Sequence, residues 1–587
     1  MNTGVTGPPG PPGPPARDQR GRPRRARLAI GLTALAGVIA ATLLIAFGAE
    51  AVVSRASCTA HPVVVNLAAS DDIAPAIQHV AKYFNAEHNS VSGHCAVVHV
   101  TREQSAAAAS QVASNGAGFD AWVPDSTLWV DVARSSPVGA QVVQPAGLSL
   151  ARSPLMIVMP RSVAAQMPAY GTSVGWQFLL PQRVGGPATG LGLHVQFPDP
   201  AHSSAGLATL IELESLLGNG RSALAGFADF VFNVQVTTGA SSQASLASLS
   251  SLARPPRDER PVTITSEQAV AQFDRAHPDQ PLSGRYPAQG TFELDYPYVL
   301  TTSNAVKLKA AEAFENALRS SYATSYVRYL GFRNAGDAAP GWIGQYGLNT
   351  GQPRVSQAPP PGQASTSLQA WQRLSLGSRD LVLLDVSEQM ATPVAPGGPS
   401  LEQVLAGAAG IGLAQFPDST QLGDWAFASH LDGDRPYKEL VPVGPLPAPL
   451  GLITRRQQIA SVTRQGKPVA GAPAALYGTI LAAFKHMSAT YQPRYSNAVL
   501  VLTAGVENAP GDITAPALVK QLRTLYNPRK RVEIIPVMFG KSGNFGALQQ
   551  IANATGGQAY QVTNPAQINK VFFSAIARRL CSPNCGA

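Results

Sequence analysis

Residues 28–49 form a run of 22 residues without one charged side chain, and no other stretch restricts so tightly what this chain can become. At about 1.5 Å per residue a helix of that length spans roughly 33 Å, enough to cross the hydrocarbon core of a bilayer. Arg17, Arg20, Arg22, Arg24, Arg25 and Arg27 lie just before it, opposed only by Asp18. Basic flanks of this kind stay on the cytoplasmic side. The expected layout is a disordered Pro/Arg-rich cytoplasmic tail over residues 1–27, one transmembrane helix over 28–53, and the bulk of the chain outside the cell membrane. The apolar run is longer than the core of a cleaved signal peptide, usually about 7–15 residues, which favours a retained single-pass anchor.

The arginine cluster also disposes of a second reading. It supplies five of the nine units of net positive charge, so the remainder is close to neutral. No lysine or arginine stripe with interleaved aromatics follows, which argues against nucleic acid as a partner. With 45% hydrophobic and 13% charged residues, the rest is globular rather than disordered. Its four cysteines fall as two local pairs, Cys58 with Cys95 and Cys581 with Cys585, and outside the membrane each pair is expected to be a disulfide, with free buried thiols as the alternative.

Beyond residue 62 short apolar runs alternate with amphipathic segments. Residues 63–69 run into Ser70-Asp71-Asp72, 73–84 carry apolar side chains at helical spacing, and 96–100 and 103–113 repeat the pair. A β-α-β-α start of this kind builds a doubly wound sheet. Then follow Asp120-Ala121-Trp122-Val123-Pro124-Asp125-Ser126, Ser153-Pro154-Leu155, Phe197-Pro198-Asp199 through Ser203-Ser204 before a helical 207–217 segment, and Leu294-Asp295-Tyr296-Pro297-Tyr298. In this order the motifs resemble the type II solute-binding proteins of bacterial ABC transporters, whose two α/β lobes enclose a cleft. The resemblance implies such a domain over residues 58–350, holding its ligand with hydroxyls and backbone N–H groups at strand ends and helix starts. Ser70, Asp125, Ser126, Ser204 and Tyr296 are the expected ligand-binding residues, for an oxyanion or another small polar solute, and Asp125 suits a cationic or hydroxylated one. Ser70, Ser126 and Ser204 have an alternative as helix N-caps. Trp129 and Trp176 read as core.

Three consecutive prolines, Pro359, Pro360 and Pro361, make residues 351–370 a semi-rigid linker. Past it, strands are expected over 380–385, 424–429, 497–503, 531–539 and 558–562, and helices over 401–415, 474–487, 514–526, 544–554 and 566–580. This is a second doubly wound, Rossmann-like parallel sheet. The runs Leu381-Val382-Leu383-Leu384-Asp385-Val386-Ser387, Leu502-Thr503-Ala504-Gly505 and Ala554-Thr555-Gly556-Gly557 stand in the order of a von Willebrand factor A domain, which residues 371–587 resemble. That family's metal-ion-dependent adhesion site uses Asp-x-Ser-x-Ser, a later Thr, and the Asp of a Thr-Asp-Gly turn. Asp385 and Ser387 match it, whereas Gln389, Ala474 and Ala504 stand at the other three positions and leave too few hard oxygen ligands for Mg²⁺. A degenerate, metal-free site is expected, and no cofactor.

No His-Glu-x-x-His helix is present, and Phe539-Gly540-Lys541-Ser542 lacks the first glycine of a P-loop, Ile535 standing in its place. The expected function is that of a non-enzymatic, membrane-anchored extracytoplasmic binding or adhesion protein, recognising a solute in the cleft and an extracellular protein or cell-envelope ligand through the carboxy-terminal domain. The alternatives are a solute receptor for an ABC-type transporter and a cell-envelope enzyme.

Overall fold

The computed structural model describes residues 62–580 apart from 166–173, 181–192, 219, 235–241, 252–259 and 508. The expected tail and membrane span lie outside the described residues, as do Cys58, Cys581 and Cys585. Cys95 is disulfide-bonded. Among the described residues no helix is long and apolar enough to cross a membrane.

Three sheets organise the chain. The first has five strands in the order Val299–Leu300, Ala121–Val123, Val63–Ala69, His94–Arg102, Ser90–Val91. Its central strand Val63–Ala69 pairs in parallel with both neighbours and is buried over its last three residues, as a strand covered on both faces must be. The second sheet is built on Ser153–Pro160, buried along its whole length, with Arg260–Ser266 and Leu282–Arg285 antiparallel beside it. The chain passes between these sheets after Val123 and again between Leu294 and Val299, so two lobes meet at residues 124–152 and 295–298. A fully buried ion pair sits in the second lobe: Arg333 forks onto both carboxylate oxygens of Glu267, at 3.0 and 2.9 Å.

The third sheet has six strands in the order Arg435–Pro445, Gln421–Asp432, Gly377–Asp385, Tyr495–Thr503, Val532–Phe539, Tyr560–Val562. Five run parallel with helices on both faces, as the apolar alternation predicts. The edge departs from the all-parallel expectation. Arg435–Pro445 returns antiparallel along Gln421–Asp432 through a hairpin in which Gly433 takes a φ of 65°, a conformation glycine adopts without steric cost. A helix absent from the sequence reading, Arg455–Gln465, follows.

The linker also differs from its expectation. Its second half continues as a helix, Gln363–Leu374, whose Ala364, Leu368, Trp371 and Leu374 join the core of the two lobes. Prolines 359–361 cannot continue a helix, but Gly362 at φ 83° starts one immediately after them. At the other end of the domain, Phe573 and Ile576 of the terminal helix Ile568–Ala577 join that same core, and Phe572 meets Phe232 edge-on at 5.1 Å and Phe416 at 4.9 Å. The carboxy-terminal domain is therefore packed onto the two lobes.

Candidate functional site

The strand Val63–Ala69 ends in Ser70, whose N–H is tied to Val123 O at 2.9 Å. Its hydroxyl donates to Asp72 Oδ1 at 2.7 Å, and Ile73 N–H donates to the same oxygen at 2.9 Å. Asp72 thus sits where the helix Ala74–Ala86 begins, a position that favours negative charge. The Tyr296 hydroxyl donates to the other oxygen, Asp72 Oδ2. Tyr296 comes from the second crossing between the lobes and holds a φ of 42°, the left-handed region that a bulky aromatic residue rarely enters. Such strain persists only where surrounding packing fixes it, and it concentrates at functional sites; here the side chain is fully buried and the Leu150 N–H donates to Tyr296 O at 3.0 Å.

The neighbouring strand Ala121–Val123 leads through Pro124 to Asp125 and Ser126. Asp125 N–H donates to the Ser105 hydroxyl at 3.0 Å. Ser126 is fully buried and accepts from Leu128 N–H at 3.2 Å, which is the N-cap geometry for the helix Thr127–Arg134. Asp295 Oδ1 accepts from Thr127 N–H at 2.8 Å. From the second lobe, Ser204 opens the helix Ser204–Leu217, yet its cap is Ser203. The buried Ser204 hydroxyl instead accepts from the Trp129 indole N–H of the opposite lobe.

Of the expected residues, the structure brings Ser70, Asp125, Ser204 and Tyr296 to one place and sets Ser126 beside them as a cap. It adds Asp72, Asp295 and Ser105, which the sequence reading did not single out, and Trp129, which reads as core and is buried there while its indole reaches Ser204. Asp72 was visible in Ser70-Asp71-Asp72, but an acid at a helix start is also what a dipole-stabilising residue looks like.

The electrostatics of the cluster are acidic. Burial pushes the Asp125 carboxyl up to about 7, with the Asp72 charge adding to it and the Ser204 and Ser105 hydroxyls opposing. Burial likewise raises Asp72 and Asp295. The Tyr296 hydroxyl lies well above its ordinary range through burial and then the Asp72 and Asp125 charges, so it stays a donor. No lysine or arginine pairs with Asp72 or Asp125 among the described residues, and Asp125 Oδ1 is buried there without a hydrogen-bond partner. Such an atom carries the full cost of lost hydration until something donates to it.

At the end of the central strand Gly377–Asp385, the Asp385 carboxylate is occupied on both oxygens. Oδ1 accepts from Ser387 N–H at 2.9 Å; Oδ2 accepts from the Thr503 hydroxyl at 2.7 Å and Ala504 N–H at 3.2 Å. Ala474 and Ala504 are both buried. Glu507 is turned away from Asp385 to cap the helix Leu476–Ala489, accepting from Leu476 and Tyr477 N–H at 2.6 and 3.1 Å. Among the described residues no group of three or more His, Cys, Asp or Glu is arranged to hold a metal ion. The sequence also contains one Gly-x-Ser-x-Gly string, Gly171–Gly175, of which residues 171–173 lie outside the described residues.

Residues 65–333 match the family model described as bacterial extracellular solute-binding protein. Two uncharacterized proteins of Mycobacterium tuberculosis, from strains CDC 1551 and H37Rv, are each 25% identical over 588 residues, covering 91% of this chain and 80% of theirs. Similar solved structures include the sulfate-binding protein SubI of M. tuberculosis H37Rv, at 19% identity and TM-score 0.35 over 50% of this chain and 93% of that one. A periplasmic thiamin binding protein matches at 10% identity and TM-score 0.39 over 54% and 98%, and iron-bound HitA of Pseudomonas aeruginosa at 12% and 0.36 over 53% and 99%. Residues 65–333 are thus similar to bacterial extracellular solute-binding proteins, and a second α/β domain built on a six-stranded sheet follows them.

Proposed function

We propose that this is a membrane-anchored, extracytoplasmic, non-enzymatic binding protein that captures a small cationic solute, amine- or guanidinium-bearing, in the cleft between its lobes. The carrying observation is the carboxylate cluster Asp72–Asp125–Asp295 around the Tyr296 hydroxyl, with Asp125 Oδ1 awaiting a donor. This refines the expectation of an oxyanion or polar solute: an oxyanion would face three carboxylates, of which Asp295 alone feels a basic side chain, Arg152, among the described residues, whereas an ammonium lowers the cost of burying them. Ser70 and Ser204 then orient the acids rather than hold the solute directly.

The carboxy-terminal domain supports a presenting or partner-binding role of the von Willebrand factor A type, with the order of its strands and Asp385 at the sheet's carboxyl edge as the basis. We read the Asp385 locus as metal-free, because both oxygens already accept from protein donors. Adding Mg²⁺ or a chelator should therefore leave the melting temperature of the full chain unchanged. Saturable Mg²⁺ heat in calorimetry that vanishes in Asp385→Ala would count against this.

One observation favours capture with a reported bound state over simple shuttling to a transporter. The linker helix is bonded to both lobes, through Gly362 N–H to Asp131 Oδ1 at 2.8 Å on one side and Trp371 Nε1–H to Asp199 Oδ1 at 3.0 Å on the other. Opening the cleft has to strain or break these bonds, which ties cleft state to the second domain.

A thermal-shift panel on the full chain tests the solute class: putrescine, arginine and glucosamine against sulfate and phosphate. At least one cation should raise the melting temperature in a concentration-dependent way, and the oxyanions should not. Because the cation needs ionised carboxylates and Asp125 titrates near 7, affinity should climb by up to about tenfold per pH unit between roughly pH 5 and 7 and then level off. Stabilisation by sulfate or phosphate alone would refute the reading.

A further inference from the structure

The carboxy-terminal sheet presents one of its faces to the helices Leu401–Gln415, Arg455–Gln465 and Ile568–Ala577, and between sheet and helices lies a cavity of about 110 Å³. At roughly 10–15 Å³ for each water-sized sphere, this admits several non-hydrogen atoms. Leu384, Leu502, Val537, Phe416 and Ile568 give it an apolar body. Asp424, from the strand Gln421–Asp432, lines it while only 1% exposed, and neither of its carboxylate oxygens has a hydrogen-bond partner among the described residues. A carboxyl buried in this way opposes folding unless something donates to it.

The other charged groups at the cavity indicate which donor it would be. Arg579 is committed: its guanidinium donates to Leu376 O at 2.8 Å and to the Ser378 hydroxyl at 2.7 Å; burial lowers its affinity for the proton, and the Asp380 and Glu533 charges oppose that. Asp380 and Glu533 also line the cavity, so with Asp424 there are three acids to one base. Burial pushes the Asp380 carboxyl up to about 7, with the Arg579 and Arg379 charges opposing, and the Asp424 carboxyl up to about 8, as expected where water is scarce.

We propose that this cavity is a second ligand site, distinct from the cleft, which binds a small apolar amine with its ammonium on the Asp424 carboxylate and its hydrocarbon body among the side chains of the sheet and helices. The ammonium supplies the N–H donors that both Asp424 oxygens lack, and the apolar body displaces weakly held water. A carboxylate or phosphate headgroup would be repelled by the same three acids.

Calorimetric titration of the full chain near pH 8 with benzylamine, benzyl alcohol and benzoate tests this. Benzylamine should bind saturably at one site, and the alcohol and the acid about tenfold more weakly or worse, the usual effect of losing a hydrogen bond to a charged group. Asp424→Asn, which keeps the shape, should weaken benzylamine by a similar factor while leaving cleft ligands unaffected. Should that variant fail to fold, Ala409→Phe, which fills the cavity from the helix side, should abolish binding instead. Benzyl alcohol binding as tightly as benzylamine, an unchanged affinity in the variant, or no saturable benzylamine binding would overturn the proposal.

Discussion

Replacing Arg333 with methionine is expected to destabilise the two-lobed domain by about 3–5 kcal/mol, the cost of removing one partner from a buried ion pair. Arg333 and Glu267 are both fully buried. Besides the fork onto Glu267, the guanidinium donates to Asp337 O at 3.2 Å and to Asn349 O at 3.2 Å, and it lies 3.1 Å from the Tyr286 hydroxyl. Methionine fills much of the aliphatic volume but leaves Glu267 with no counter-charge. Arg333→Met combined with Glu267→Gln, which removes the stranded charge as well, should therefore recover part of the deficit. Urea denaturation of the single and the double variant measures both effects; a loss below about 1 kcal/mol in the single variant, or no recovery in the double, would contradict the account.

The second large effect belongs to Trp371. Trp371→Ala should cost about 3–5 kcal/mol, as for other buried aromatic truncations. The side chain is only 4% exposed, lies against Phe197 with ring centroids 6.1 Å apart, and bonds Asp199 through its indole N–H. Because the linker helix holds on to both lobes, its loss should also expose the preceding proline-rich segment to protease. Denaturation and limited proteolysis of the full chain read the two consequences separately. An unchanged unfolding midpoint would mean that the helix is not anchored as described.

The legible parts of the fold were those in which local chemistry and tertiary packing agree. The helix Leu401–Gln415 was placed to the residue: Ser400 and Gln403 form a reciprocal capping box at its start, and its apolar spacing is regular. The central strand of the third sheet was equally plain, because a strand buried on both faces has to be apolar throughout. The helix Arg455–Gln465 was missed, since its Arg-Arg-Gln-Gln opening looks like a solvated loop. A signal was nonetheless available in Thr454 and Gln457, which form the same capping box. The antiparallel edge was missed because Tyr437, Lys438 and Glu439 hide its alternation, although Asp432-Gly433-Asp434 is a hairpin turn signal.

The candidate site was legible only in part, for a different reason. Serines at strand ends draw notice as hydrogen-bonding groups, but Ser126 proves to cap a helix and Ser204 to accept from Trp129. The acids that give the cluster its sign, Asp72 and Asp295, are 223 positions apart, and only the fold brings both to the Tyr296 hydroxyl. No periodicity or spacing in a single sequence encodes that meeting.

The most direct measurement of the central claim is a paired calorimetric titration of the full chain and of Asp125→Asn with the cation that stabilises it best. The account predicts one site per chain, with proton release near neutral pH and an affinity reduced about tenfold or more in the variant, since the charge-assisted bond is lost while the shape remains. Equal affinity in the two proteins, or binding of sulfate in place of any cation, would contradict it.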